Sequence, residues 1–169
     1  MLTKDIRHDE TEPAETISAA PDVALIREHL NVVLASDEFS SSRRASELLP
    51  LDPDLAWGYG FDANALFHFD DALEAYRRYT ALAPLDPRGW SNEGTVLVEL
   101  GRFDESQACF DRALALRPGM IPALNGKGSA YYYARRFETA RSLWAKVLDL
   151  DPRDPTATRN MSTLVKMGY

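Results

Sequence analysis

Apolar, aromatic and small residues return along this chain at intervals of 34 residues, and several unrelated residue types share the phase. Phe69, Phe103 and Phe137 hold one position and Leu82, Leu116 and Leu150 another. Tyr76, Phe110 and Trp144 keep an aromatic in register, while Ala72, Ser106 and Ala140 keep a small residue. Gly60, Gly94 and Gly128 recur at the same interval, as do Pro50, Pro84, Pro118 and Pro152. A fixed period of roughly 20–50 residues is the mark of stacked structural repeats. Each repeat reads as two helices. Pro84, Pro118 and Pro152 follow the apolar pattern of the second, where a missing N–H and a fixed φ stop the helix. The recurrent glycines fall inside the first helix, at a cost of about 1 kcal/mol each relative to alanine, so close approach of the partner helix is expected there. Ala72, Ser106 and Ala140 would serve that approach from the other side, with the aromatics filling the space beyond. Asp70, Asp104 and Glu138 come just after the turn aromatic, where a carboxylate accepts from free backbone N–H groups and suits the positive helix end.

The order of these residues resembles the tetratricopeptide (TPR) repeat, whose signature runs bulky residue, glycine, aromatic, alanine, aromatic, alanine and proline over about 34 residues. The middle repeat, 87–120, matches best, with Trp90, Gly94, Gly101, Phe103, Phe110, Ala113, Leu114 and Pro118 in family positions. It departs at Glu93, where leucine is usual, and at Ser106. The first repeat, 53–86, has Tyr79 where a small residue is normal, so its junction with the next is expected to be splayed. The third, 121–154, carries Gly128, Tyr131, Phe137, Ala140, Trp144 and Pro152. The resemblance implies an all-α fold: a right-handed superhelix of three TPR helical hairpins. Residues 155–169 continue the phase of a first helix and are expected to cap the array, with Met161, Leu164 and Val165 packed inward over Leu143 and Val147. Residues 22–52 read as a degenerate N-terminal helical hairpin, where only Leu48 and Pro50 keep the phase. Residues 1–21, with five carboxylates against two cations, are expected to be a disordered acidic tail.

Charge and composition narrow the function. The hydrophobic fraction is 45%, enough for a continuous core, and the net charge of −7 with a pI near 5.0 disfavours phosphate backbones and anionic bilayers. No apolar run nears the roughly 20 residues that span a membrane, and the charged N-terminus lacks a signal-peptide core. The chain is therefore read as cytoplasmic, with another protein or peptide as partner. Cys109 is the sole cysteine, which excludes an internal disulfide. His8, His29 and His68 lie far apart with no ligand spacing, so no metal is expected. Gly58-Tyr59-Gly60 follows no strand, and Gly126-Lys127-Gly128 lacks the spacing and the hydroxyl residue of a phosphate loop. No catalytic residue and no cofactor are expected, and the chain is not read as an enzyme.

By the family's geometry the first helices line a concave groove. The positions facing it are Asp54, Trp57, Phe61 and Asn64 in repeat one; Arg88, Ser91, Asn92, Thr95, Val98 and Glu99 in repeat two; and Asn125, Ser129, Tyr132 and Tyr133 in repeat three. The capping helix adds Arg159, Thr163 and Lys166. Ten of these are the expected partner contacts: Trp57, Phe61, Asn64, Asn92, Thr95, Glu99, Asn125, Ser129, Tyr132 and Tyr133. The aromatics offer large contact area at low entropic cost, although Trp57 and Phe61 are also open to a reading as packing under the N-terminal hairpin. Some TPR domains clamp the C-terminal carboxylate of chaperones with lysines, asparagines and an arginine. Asn92 occupies one clamp position here, but Trp57, Phe61, Pro122 and Gly126 hold the others, leaving no cationic socket. The layout is also similar to TPR chaperones of bacterial type III secretion. The expectation is thus a protein-binding adaptor, scaffold or chaperone. The alternative is a regulatory or DNA-associated protein using its N-terminal helices, where Arg43 and Arg44 form the only basic cluster and IREHLNVVLASDEFSSSRRASELL resembles the opening of a winged-helix-type domain of bacterial regulators.

Overall fold

The computed structural model describes residues 42–43, 46–47 and 51–169. The tail and most of the N-terminal hairpin expected above lie outside them. Over 51–169 the chain forms seven helices and, among the described residues, no strand: α1 Pro53–Ala65, α2 Phe69–Leu82, α3 Pro87–Glu99, α4 Phe103–Leu116, α5 Ile121–Tyr133, α6 Phe137–Leu150 and α7 Pro155–Met167. The helices pair as antiparallel hairpins α1/α2, α3/α4 and α5/α6; α2 packs on α3, α4 on α5 and α6 on α7.

Three of the four first helices begin the same way. Asp52, Asp86 and Asp154 are extended or near-extended residues whose carboxylates accept backbone N–H groups of the first turn, and a proline follows each. The proline occupies a position whose N–H needs no partner. At α5 the capping residue is Met120, whose side chain accepts nothing. The second helices have no such cap at His68, Arg102 or Arg136. Asp70, Asp104 and Glu138 therefore act through the helix dipole, not as hydrogen-bonding caps.

The glycine contact differs from simple helix-on-helix approach. A Cβ built on Gly94 would lie 2.9 Å from the Phe110 ring, and one on Gly60 3.0 Å from Tyr76; on Gly128 it would strike Trp144. The glycines make room for the aromatic that comes from the second helix of the same hairpin. Phe110 does more than its counterparts, because a Cβ on Gly126 of the next repeat would also lie 2.5 Å from its ring. This one fully buried side chain joins repeats two and three. Small residues Ala72, Ser106 and Ala140 are fully buried as well.

Each hairpin turn uses one left-handed residue, again 34 residues apart: Phe67 at φ +62°, Gly101 at +72° and Arg135 at +60°. Glycine takes that conformation freely, whereas other residues lose roughly 1–2 kcal/mol there. Glycine's extra unfolded-state freedom returns about 0.5–1 kcal/mol of that difference. Arg135→Gly is therefore expected to stabilise the protein by about 0.5–1 kcal/mol, read as a higher urea midpoint at unchanged slope. A lower midpoint would mean that the Arg135 side chain contributes more than its backbone costs.

At the C-terminus, α7 lies against α6. Ala157 and Leu164 are fully buried in one cluster with Leu124, Ala140, Trp144 and Val147, and Met161 packs at its edge. Val165, expected inside, is 66% exposed on the far side of the helix. It follows Leu164 directly, and adjacent helical residues do not share a face.

Candidate functional site: the concave face of the first helices

The first helices of repeats two and three, α3 and α5, touch directly, while α1 has no comparable contact with α3. Tyr79 accounts for the difference. It is buried in α2 at a position normally held by a small residue, and a Cβ on Gly89 of α3 would lie 2.5 Å from its ring. Its hydroxyl donates to Asp86 at 2.6 Å. Asp86 also accepts from the Arg88 guanidinium at 2.6 and 3.0 Å and from the Arg88 backbone N–H at 2.9 Å. The Arg88 guanidinium, followed by the Tyr79 hydroxyl, holds the Asp86 carboxyl well below the usual carboxylate range, while burial pushes the Tyr79 phenol up. Arg88 in turn sits 5.2 Å from the centre of the Trp57 ring, which packs 5.8 Å from Tyr76 and 5.0 Å from Tyr79. Trp57 is thus half-buried in the seam between repeats one and two, roofed by an arginine already held by a carboxylate.

The other expected contacts divide by exposure. Phe61 is 60% exposed and Asn64 half-buried, both on α1. On α3, Thr95 and Glu99 are exposed, and the Thr95 hydroxyl donates back to the Ser91 carbonyl at 3.0 Å. Asn92 is half-buried near Tyr76, whose hydroxyl is pushed up to about 12 chiefly by burial. Ser91 and Val98 are buried. On α5, Tyr133 is 58% exposed and stacks on Phe103 with ring centres 6.0 Å apart. Tyr132 is half-buried among Tyr133, Phe137 and Trp144, with its hydroxyl 3.5 Å from the Met167 sulfur. Ser129, Tyr132 and Tyr133 join Trp144, Asn160 and Thr163 around a hollow of about 90 Å³.

Asn125 lies elsewhere than on an open groove wall. It is only 9% exposed, and its amide donates to Asp154 at 3.1 Å while Asp154 caps α7 through the Ala157 N–H at 2.7 Å. The indole N–H of Trp144 reaches the Asn125 carbonyl at 3.4 Å. Asn125 is a joint between α5, α6 and the start of α7. The physical reason is position in the stack: Asp154, the capping residue of the following helix, reaches back to take the Asn125 amide.

Sequence reasoning missed a polar network that runs from a buried carboxylate to the surface. Glu93, 6% exposed, accepts from the Thr80 hydroxyl at 3.0 Å and pairs with Arg77 at 3.5 Å; Arg77 also reaches Glu105 at 3.2 Å, which Arg102 holds at 2.7 Å. The network ties α2 to α3 and α4. Glu93 standing at a leucine position was the available signal, since a carboxylate at a core phase needs partners. The Cys109 thiol beside it is pushed up to about 12, mainly by burial and then by Glu93, so it is a poor nucleophile. Among the described residues no group of histidine, cysteine or acidic side chains could hold a metal, and no helix is long and apolar enough to cross a membrane. Of the basic pair near the N-terminus, Arg43 is engaged by Glu47 at 3.0 Å; Arg44 lies outside the described residues.

The tetratricopeptide-repeat family model matches residues 65–121 and 125–161, more than half of the chain, and the chain belongs to that family. Its architecture, an all-α helical-repeat superhelix, recurs in solved structures of low sequence identity. A MamA double mutant (RS-1, ArsTM) superimposes with a TM-score of 0.71 at 18% identity, over 85% of this chain and 83% of that one. The Arabidopsis OM64 TPR domain gives 0.64 at 19%, over 68% and 94%. The second TPR domain of human RPAP3, solved in complex with the HSP70 peptide SGPTIEEVD, gives 0.61 at 18%, over 66% and 97%. No curated protein matches the chain by sequence.

Proposed function

We propose that this protein is a binding module that holds an extended or helical segment of a partner protein along the concave face of α1, α3, α5 and α7. The observation that carries the reading is the exposure of large aromatics on that face. Phe61 and Tyr133 on the first helices are more than half exposed, whereas Tyr59, Tyr76, Tyr79, Phe110 and Trp144 are buried in the core, and Tyr132, Ser129 and Thr163 frame a hollow beside Tyr133. Rigid aromatics with few rotatable bonds are the usual anchors of interfaces. Asn64, Asn92, Thr95 and Glu99 supply hydrogen-bonding groups between the two anchors. Trp57 and Asn125 contribute by fixing the seam and the joint that set the curvature. A related TPR domain holds a short acidic peptide. Here Arg88 is already committed to Asp86, so the proposed ligand is a segment that presents apolar side chains, with no terminal carboxylate required.

The test is a titration with the partner recovered from native extract. Phe61→Ala with Tyr133→Ala is expected to leave helicity and melting nearly intact, because exposed positions usually cost within about 0.5 kcal/mol each. Affinity should fall by at least about thirtyfold if one anchor is worth roughly 2 kcal/mol. Arg112→Ala on the exposed side of α4 is the control, and equal weakening by the control would contradict the concave assignment.

A further inference from the structure

Charge changes sign along the first helices of the array. Asp54 and Asp62 are the charged residues of α1, with no cation in that helix, whereas Arg159 and Lys166 are those of α7, with no carboxylate. Between them, α3 adds Glu99, which is exposed and has no ion pair among the described residues. The intervening cations are already taken: Arg88 of α3 is held by Asp86, and Lys127 of α5 by Asp111.

The two cations of α7 flank the tyrosine hollow. Asn160 and Thr163 line it from α7. Arg159 comes one turn before Thr163 and Lys166 one turn after, on the same helix face, where neighbouring Cβ atoms stand about 5–6 Å apart. Both are exposed, and neither has an ion pair among the described residues. The hollow itself is not built for a charge. The Ser129 hydroxyl donates to the Asn125 carbonyl at 3.1 Å and the Thr163 hydroxyl to the Arg159 carbonyl at 3.0 Å, so neither proton is left for an anion. The rings of Tyr132, Tyr133 and Trp144 make up the rest of the wall, around a volume of about 90 Å³ that has room for one aliphatic side chain. The Asn160 amide makes no side-chain hydrogen bond among the described residues, which leaves a donor and an acceptor for a peptide group laid across the opening.

We propose, resting on the concave-face reading above, that the segment held there has an acidic end: one aliphatic side chain fills the tyrosine hollow, and Asp or Glu side chains on either side of it meet Arg159 and Lys166. An unpaired arginine and lysine on a chain of net charge −7 are a local exception that an acidic partner matches. Exposed ion pairs add little affinity each, but they select between partners and fix register. The same acidic residues placed at the other end of the face would meet Asp54 and Glu99, so the charges set the direction of the segment as well as its composition.

Short peptides built of leucine and glutamate, with counterparts carrying glutamine or lysine in place of every glutamate, test this by fluorescence anisotropy and by amide NMR of the full chain. The glutamate peptide is expected to bind at least about fivefold more tightly than the glutamine peptide, as two exposed ion pairs together would give. The lysine peptide should be weaker still, and the glutamate peptide should shift the amides of Ser129, Asn160 and Thr163. Arg159→Glu with Lys166→Glu should reverse the order; Arg159→Gln with Lys166→Gln, which adds no new charge, should level it. Arg141→Glu, exposed on α6 and outside the lining of the hollow, should leave the order unchanged. The proposal is overturned if no peptide binds, if glutamate and glutamine peptides bind alike, or if Arg141→Glu alters the order as much as the α7 pair does. Shifts at Phe61, Thr95 and Tyr133 with no preference for glutamate would overturn it and leave the concave-face reading standing. Shifts confined to α4 and α6 would overturn both.

Discussion

Phe110→Ala is expected to lower stability by about 3–5 kcal/mol, the range for deleting a buried phenylalanine side chain. The site cannot collapse easily, because the ring is fully buried and lies against backbone at two glycines, Gly94 in its own repeat and Gly126 in the next. Gly94→Val is expected to cost about 1–3 kcal/mol by forcing a branched side chain against that ring. Urea denaturation of both single variants and the double variant separates the contact from its surroundings. With the ring gone, valine at position 94 has room, so its cost should shrink markedly in the Phe110→Ala background. Strictly additive effects would show that the glycine and the ring do not constrain one another.

Removal of residues 155–169 is expected to have the larger effect. It withdraws Leu164 and Ala157 from the cluster and returns Trp144 and Val147 towards water; each large apolar side chain so exposed costs about 1.5–3 kcal/mol. Neighbouring hairpins support one another in an array, so the loss should spread from repeat three into repeat two. Thermal melting followed by circular dichroism should show a lower and broader transition, with self-association on size exclusion. A melting curve that matches the full chain would mean that α7 does not act as a cap.

Much of this architecture was legible because three residue classes answer to one geometric demand. Glycine, small residue and aromatic must meet where two helices of a hairpin cross, so they recur together. The same periodicity exposes the exceptions: Tyr79 in a small-residue position announces the gap between α1 and α3, and Glu93 in a leucine position announces a buried carboxylate. What partners Glu93 was not legible, since Arg77 and Thr80 come from another helix whose rotation the period does not fix. The aspartate-proline pairs at 52–53, 86–87 and 154–155 carried a readable capping signal, which the phase of the acidic residues after the turn aromatics obscured. On the concave face the period places Asn64, Asn92, Thr95 and Tyr133 on the first helices, but exposure depends on what stacks next. Asn125 occupies a groove phase and is nonetheless covered, because α7 begins with an aspartate that takes its amide.

Site-specific photo-crosslinking tests the concave-face proposal most directly. A benzophenone amino acid placed singly at Phe61, Tyr133, Arg112 or Arg141 in the full chain, irradiated in native cells, reports what lies within reach of each position. The concave face as proposed predicts crosslinks from Phe61 and Tyr133 to the same partner protein, with the α4 and α6 positions Arg112 and Arg141 giving none to it. Equal or stronger crosslinking from Arg112 and Arg141 would contradict it and move the partner to the opposite surface.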